Sequence, residues 1–290
     1  MVKPPLFDYL VAHSTGEAVR YLAEYPGGMI LAGGQSLIPA MNFRLAAPAA
    51  LIDINRIAQL RNIEIADGLI HVGAGVRHRD LEMSEEAYRA NPLIREAMHY
   101  VAHVPIRNRG TTVGSLCHAD AAAEMPMVLL LTGGWVTAEG ADGRRTIPAD
   151  EFFQFHMTTA REPDEMIVGA TFPALPEGAG HAFAEFARRK GDYAIAAVGA
   201  ILQLDGEGTV TDARLAACGI ASRPVRLVEA EAAVIGSRLT DPQLKSAGEA
   251  ATFQVTAEDE PNITAAYRRH LLAALTRRVL VEAAGKARRV

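Results

Sequence analysis

The stretch Pro173-Ala-Leu-Pro176-Glu-Gly178-Ala-Gly180 constrains the chain most. Prolines and glycines at this density cannot sustain a helix or a central strand, so separate units fold on either side. The 290 residues leave room for two or three such units, each with its own core.

Upstream, short strand candidates alternate with helical patterns. Ser14 and Glu17 predict a capping box, followed by a helix whose apolar face is Ala18, Val19, Leu22 and Ala23. Tyr25-Pro-Gly-Gly ends it. Met29–Ala32 reads as a short buried strand and Leu51–Ile54 as a second, and this small α/β unit closes at residue 56. A second unit, 57–175, holds strands at 69–72, 133–138 and 165–172, with a turn at Gly140–Gly143. It also holds a helix over 92–102 that buries Leu93, Ile94, Ala97, Met98 and Val101. Asn108–Ala123 reads as polar, glycine-bearing loop, and Met125–Leu131 then turns strongly apolar.

The third unit, 176–290, opens with the alternating His181-Ala-Phe183-Ala-Glu185-Phe186. Strands at 194–204 and 210–220 form a hairpin around Asp205-Gly-Glu-Gly208. Helices are expected at 224–235, 241–251 and 263–284. The last has Leu271, Leu272, Leu275 and Val279 inside and Arg268, Arg269, Arg277 and Arg278 outside. KARRV at the C-terminus reads as a solvated helix end. The chain shows no internal repeat.

Composition removes several functions. Hydrophobic residues at 49% and charged residues at 22% describe a globular chain rather than a disordered one. A formal net charge of -5 gives no global reason to bind nucleic acid. The two cysteines, Cys117 and Cys218, exclude a disulfide scaffold and a cluster held by four thiolates of this chain. The start MVKPPLFDYL lacks a secretory apolar run, and no segment approaches the length of a membrane span, so a cytoplasmic location is expected.

Three segments carry candidate chemistry. Ala32-Gly33-Gly34-Gln35-Ser36 follows a strand; adjacent glycines leave N–H groups open, either as a phosphate nest or as a tight turn that needs glycine. Thr111-Thr112-Val113-Gly114-Ser115 is a second loop of that kind, followed by His118, Asp120 and Glu124. Two such loops suit the two ends of one extended ligand, while Glu124 is equally a first-turn helix carboxylate. Arg188-Arg189-Lys190-Gly191-Asp192-Tyr193 sets charge and an aromatic ring before a strand, to border a ring ligand or to solvate a strand start. Arg107 and Arg109 suit a phosphate or nearby carboxylates.

Other sites are rejected. Gly73-Ala-Gly75-Val-Arg-His78 has histidine where a dinucleotide fingerprint needs glycine. His118 and Asp120 lack a third metal ligand. Cys117 and His118 are neighbours in what reads as extended chain and so point apart, against a nucleophilic pair.

Four blocks carry a resemblance: AGGQSLIPAMNFRLAAP (32–48), RNRGTTVGSLCHADAAAEMP (107–126), RRKGDYAIAA (188–197) and YRRHLLAALTRRVL (267–280). In that order they resemble the FAD-binding medium subunit of the molybdenum hydroxylases, a family that includes carbon monoxide dehydrogenases and enzymes acting on N-heterocycles. They are similar also to the flavin domain of xanthine dehydrogenase. The resemblance implies an α+β chain: a vanillyl-alcohol-oxidase-like fold of two α/β subdomains that hold FAD, then a domain with a small antiparallel sheet and helices. It implies that Ala32, Gly33, Gly34, Gln35, Ser36 and Leu37 wrap the FAD pyrophosphate. Thr111, Gly114, Ser115, His118, Asp120 and Glu124 are then expected at phosphate, ribitol and adenosine, and Ile167 near the ring or the adenine. Lys190, Asp192 and Tyr193 are expected beside the isoalloxazine. Val113 and Ala121 depart from the family, where glycine and proline are common.

The function so implied is electron relay. A large subunit with a molybdenum cofactor hydroxylates substrate, two [2Fe–2S] clusters in a small subunit pass electrons to FAD here, and an external acceptor removes them. No residue of this chain is expected to act as acid or base on substrate. The assembly expected is a dimer of heterotrimers, cytoplasmic or peripheral at a membrane through the complex. The alternatives are a free-standing FAD-dependent oxidoreductase and a structural subunit that has lost its flavin.

Overall fold

The computed structural model describes residues 3–259 and 261–287. Its first sheet is parallel, with Ala50–Asp53 between Asp8–Val11 and Met29–Leu31. The crossover helix Thr15–Glu24 is capped by Ser14, which accepts from the Glu17 N–H at 3.1 Å. The Glu17 carboxylate reaches back one residue further than a capping box requires, to the His13 N–H at 2.8 Å. Ala18, Val19 and Leu22 are buried, but Ala23 is exposed. Met29–Leu31 is an edge strand rather than a buried one, with Met29 42% exposed, because only one side of its ladder is paired.

The second sheet has five antiparallel strands in the order Ile63–Ala66, Leu69–Gly73, Met166–Pro173, Trp135–Gly140, Gly143–Pro148. Pro92 opens the helix Pro92–Met98, which stops four residues short of the expected end; Val101 is buried in the turn beyond it. The segment read as loop contains the helix Thr112–His118, capped by the Thr111 hydroxyl and closed by Ala119 in the left-handed region (φ 50°). Every residue of the next helix, Glu124–Thr132, is buried. A helix apolar all round must be enclosed on all sides, and this one runs between the second unit and the C-terminal sheet.

That last sheet is antiparallel, in the order Gly180–Phe186, Ala196–Leu204, Val210–Cys218, Val225–Arg226. Strand alternation divides its side chains. Ala182, Ala184, Val198, Ala200, Leu215 and Ala217 face the helices Val228–Val234, Asp241–Phe253 and Ala265–Lys286. Phe183, Ala197, Ile201, Ala216 and Cys218 face the Glu124–Thr132 helix and join the core of the preceding units. Leu271, Leu272, Leu275 and Val279 are buried as expected, while Arg268 turns inward and donates to the Gly219 carbonyl. Of the basic tail, Lys286 meets Glu96; Arg288–Val290 lie outside the described residues. No described helix is long and apolar enough to cross a membrane.

Candidate functional site

Gly33 and Gly34 turn the chain between the strand Met29–Leu31 and the short helix Leu37–Asn42. A Cβ on Gly33 would stand 2.5 Å from the Arg109 carbonyl oxygen, 2.6 Å from Gly110 Cα and 2.9 Å from the Thr111 nitrogen. The first glycine-bearing turn therefore lies backbone to backbone on the start of the second. Among the described residues, the N–H groups of Gly33, Gly34, Gln35 and Ser36 donate to no protein acceptor. Four successive donors beside a second N–H-bearing turn make a cradle that fits a diphosphate.

Asn55 and Arg77 stitch the two turns together. Asn55 Nδ2 donates to the Ala32 carbonyl at 2.9 Å, and its Oδ1 accepts from Arg77 Nη2 at 2.6 Å. Arg77 Nη1 donates to the Arg109 carbonyl. Neither residue is among the candidates the sequence offers; a polar Asn55 directly after the buried Ile54 is the signal that marks it. Gly73 and Gly75, in the run rejected as a dinucleotide fingerprint, pack against the Leu60 carbonyl instead. A short helix, His78–Met83, does follow that run.

The second turn is braced from below. Arg107 is 6% exposed and pairs through Nε and Nη2 with Glu82, itself 3% exposed, at 3.0 and 3.2 Å; its Nη1 serves the Val101 and Ala102 carbonyls. Of the two roles open to Arg107, the structure gives it the carboxylate. His78 meets Thr112 Oγ1 at 3.3 Å, and burial, aided by the Arg107 charge, lowers its pKa to about 4, so it stays neutral. Gly114 leaves room for the Thr111 hydroxyl, which a Cβ would approach to 2.5 Å. Val113 is buried in the helix at negative φ, so the helix removes any need for glycine there.

Asp120 Oδ1 accepts from the Ala122 N–H at 2.9 Å. His118, half-buried, has its pKa lowered by burial, against the pull of Asp120. No group of three or more metal-capable side chains occurs among the described residues. Cys117 and His118 diverge as helix neighbours, not as strand neighbours as expected, and burial pushes the Cys117 thiol up to about 12.

The third segment closes one end. Tyr193 is 53% exposed, and its hydroxyl lies near enough to Ser36, Asp120 and Glu124 to feel them. Burial, with Asp120 and Glu124 adding to it, raises that hydroxyl to about 12. Tyr193 thus joins the first turn to the region of Asp120 and Glu124. Gly191 lies against the His103 ring. Asp192 pairs with Arg189 at 3.1 Å, and Lys190 is exposed on the same turn. Ile167 is buried in the core, paired with Ala138.

Residues 5–175 match the FAD binding domain in molybdopterin dehydrogenase, and residues 181–283 match the CO dehydrogenase flavoprotein C-terminal domain. The chain belongs to the FAD-binding medium subunits of the molybdenum hydroxylases. It is 42% identical over 290 residues to the 6-hydroxypseudooxynicotine dehydrogenase complex subunit alpha of Paenarthrobacter nicotinovorans, covering 99% of this chain and 97% of that one. Among solved structures it is similar to carbon monoxide dehydrogenase from Hydrogenophaga pseudoflava, with TM-score 0.95 and 34% identity over 99% of this chain and 100% of that one. It is likewise similar to quinoline 2-oxidoreductase from Pseudomonas putida 86, with TM-score 0.94 and 34% identity over 98% of both chains. The medium subunit therefore has the vanillyl-alcohol-oxidase-like fold of its family, and its general role is that of an FAD-binding electron-transfer subunit.

Proposed function

We propose that this medium subunit takes electrons from two [2Fe–2S] clusters of a small partner subunit and passes them through FAD to an external acceptor. Hydroxylation belongs to a molybdenum cofactor in a large partner subunit. The flavin supplies the capacity to collect single electrons and deliver one or two. Ala32–Leu37, with Thr111, Gly114 and Ser115, hold the diphosphate and neighbouring atoms. His118, Asp120 and Glu124 serve the polar chain beyond, and Lys190, Asp192 and Tyr193 border the ring; the place of Ile167 rests on resemblance alone. The assembly is a cytoplasmic heterotrimer, paired into a dimer.

The observation that carries this reading is the seating of Gly33 on residues 109–111, beside the unengaged N–H groups of residues 33–36. The test is co-purification with both partners, followed by substrate addition. Bleaching of the bound flavin's visible absorbance is expected; purified complex that holds no flavin would overturn the reading.

A further inference from the structure

The first cradle turn contains two peptide groups whose direction its own backbone leaves open. In a trans peptide the C=O and the N–H point to opposite sides. Whatever holds the Ala32 carbonyl therefore aims the Gly33 N–H, and whatever holds the Gly33 carbonyl aims the Gly34 N–H. Glycine tolerates either orientation, because no Cβ opposes the change in φ that a peptide flip requires. A flipped Ala32–Gly33 peptide would present an oxygen where a diphosphate needs a donor. Adjacent glycines permit the cradle but do not fix it.

Side chains supply the hold. Asn55 Nδ2 donates to the Ala32 carbonyl at 2.9 Å and to Asp53 Oδ1 at 2.6 Å, which engages both of its hydrogens. Asn55 Oδ1 accepts from Arg77 Nη2 at 2.6 Å. An ionised carboxylate only accepts and a guanidinium only donates. One orientation of the Asn55 amide satisfies both, and that orientation turns the donor to Ala32. Asp53 is fixed in turn: its Oδ1 also accepts from the Asn55 N–H at 2.7 Å, and its Oδ2 accepts from the Tyr9 hydroxyl. Gln35 serves the next peptide, with Nε2 donating to the Gly33 carbonyl at 3.3 Å. The N–H groups on the far side of these peptides, those of Gly33 and Gly34, donate to no protein acceptor among the described residues.

We propose that Asn55 is a positioning residue for the cofactor: by holding the Ala32 carbonyl it aims the Gly33 N–H at the diphosphate. Asp53 and Arg77 decide which end of the amide does so, and Gln35 aims the Gly34 N–H in the same way. This rests on the FAD reading above. With both amide hydrogens committed, Asn55 has none left for a ligand, so it acts through the peptide. Arg77 has a separable part. Its guanidinium donates to the Arg109 carbonyl and to Asn55, not to Ala32, and so ties the two turns together without setting the peptide.

The experiment measures FAD affinity of the flavin-free complex and the phosphorus NMR spectrum of the bound diphosphate. Asn55→Ala should weaken FAD about ten- to hundredfold, as for a lost hydrogen bond to a charged group, and should move the diphosphate resonances. Arg77→Lys keeps the charge and the Asn55–Ala32 bond, so it should leave the resonances in place with a smaller loss of affinity. Asn55→Asp still accepts from Arg77 but cannot donate to Ala32, and decides the matter if Asn55→Ala does not fold. Its loss of affinity should persist at high salt, which would screen a simple charge repulsion. Native affinity and resonances in either residue 55 variant would overturn the proposal. So would equal displacement of the resonances by Asn55→Ala and Arg77→Lys, which would make Asn55 a tie between the turns and nothing more. If Gly33→Val, Gly34→Val protein keeps FAD with native resonances, the cradle assignment fails instead, and the positioning role falls with it.

Discussion

Gly33 and Gly110 meet Cα to backbone, at a separation that leaves no room for one further carbon: a Cβ on Gly33 would lie 2.6 Å from Gly110 Cα. Contacts this short involve main chain on both sides, so no side chain can swing away to relieve them. Gly34 beside it sits at φ 71°, where a β-branched residue is strained. The double substitution Gly33→Val, Gly34→Val is expected to separate the two turns and abolish FAD retention. The measurement is flavin absorbance per mole of purified protein; an unchanged ratio refutes the assignment of these turns.

Arg107 brings the second prediction. Its guanidinium neutralises Glu82 in a buried site and also serves two carbonyls. Removing one partner of a buried pair costs about 3–5 kcal/mol, and Arg79, which donates to Glu82 at 2.9 Å, offsets part of that when Arg107 is lost. Arg107→Met should lower the denaturant midpoint accordingly and weaken flavin binding, because Asn108–Gly110 leads from this anchor into the second turn. Glu82→Gln should also destabilise, since it leaves the buried Arg107 guanidinium without its carboxylate partner.

Thr111 caps the helix Thr112–His118 through its hydroxyl, 3.1 Å from the Gly114 N–H. Thr111→Ala should cost about 1 kcal/mol of stability, and Thr111→Ser should recover most of it. Chemical denaturation of the three proteins checks the order.

What the sequence disclosed follows from how local each signal is. The hairpin of Ala196–Leu204 and Val210–Cys218 was legible because two long apolar runs flank a glycine-bearing turn. The helix Thr112–His118 was not, because Thr-Val-Gly-Ser has weak helix propensity; the burial of Val113 and Leu116 holds it in place. Asp8–Val11 and Gly143–Pro148 escaped for a related reason. The first is specified by parallel pairing with residues 50–53, and the second shows four exposed residues in a row. The two glycine-bearing turns were readable as patterns, but the pairing of Asn55 with Arg77 that locks them together joins residues 22 apart and has no signature in spacing. Glu185 did leave one: it shares strand parity with the buried Phe183, which places a carboxyl on an inward face.

The thiols give a chemical prediction. Burial raises Cys117 to about 12 and holds Cys218 well above the ordinary thiol range. Thiolate is the nucleophilic form, so native protein at neutral pH should resist alkylation at both positions, and unfolded protein should react at both. Mass spectrometry of the adducts decides it. Rapid native labelling of Cys117 would show that the helix Thr112–His118 opens readily.

The buried acids predict how stability depends on pH. Glu124 and Glu185 rise from an ordinary 4.5 to about 7 and about 8 on folding, so the folded chain binds more protons than the unfolded chain across that interval. Stability contributed by their neutral forms is complete below the unfolded value and is lost as pH rises through the folded values. Each tenfold change in proton affinity corresponds to about 1.4 kcal/mol, and partial solvent access at Glu185 reduces what is realised. Glu185→Gln, which stays neutral throughout, should therefore gain about 1–3 kcal/mol on native protein between mildly acidic and mildly alkaline pH. Urea unfolding of both proteins at matched pH values is the measurement. Parallel stability curves would mean that Glu185 reaches solvent and ionises freely in the folded chain.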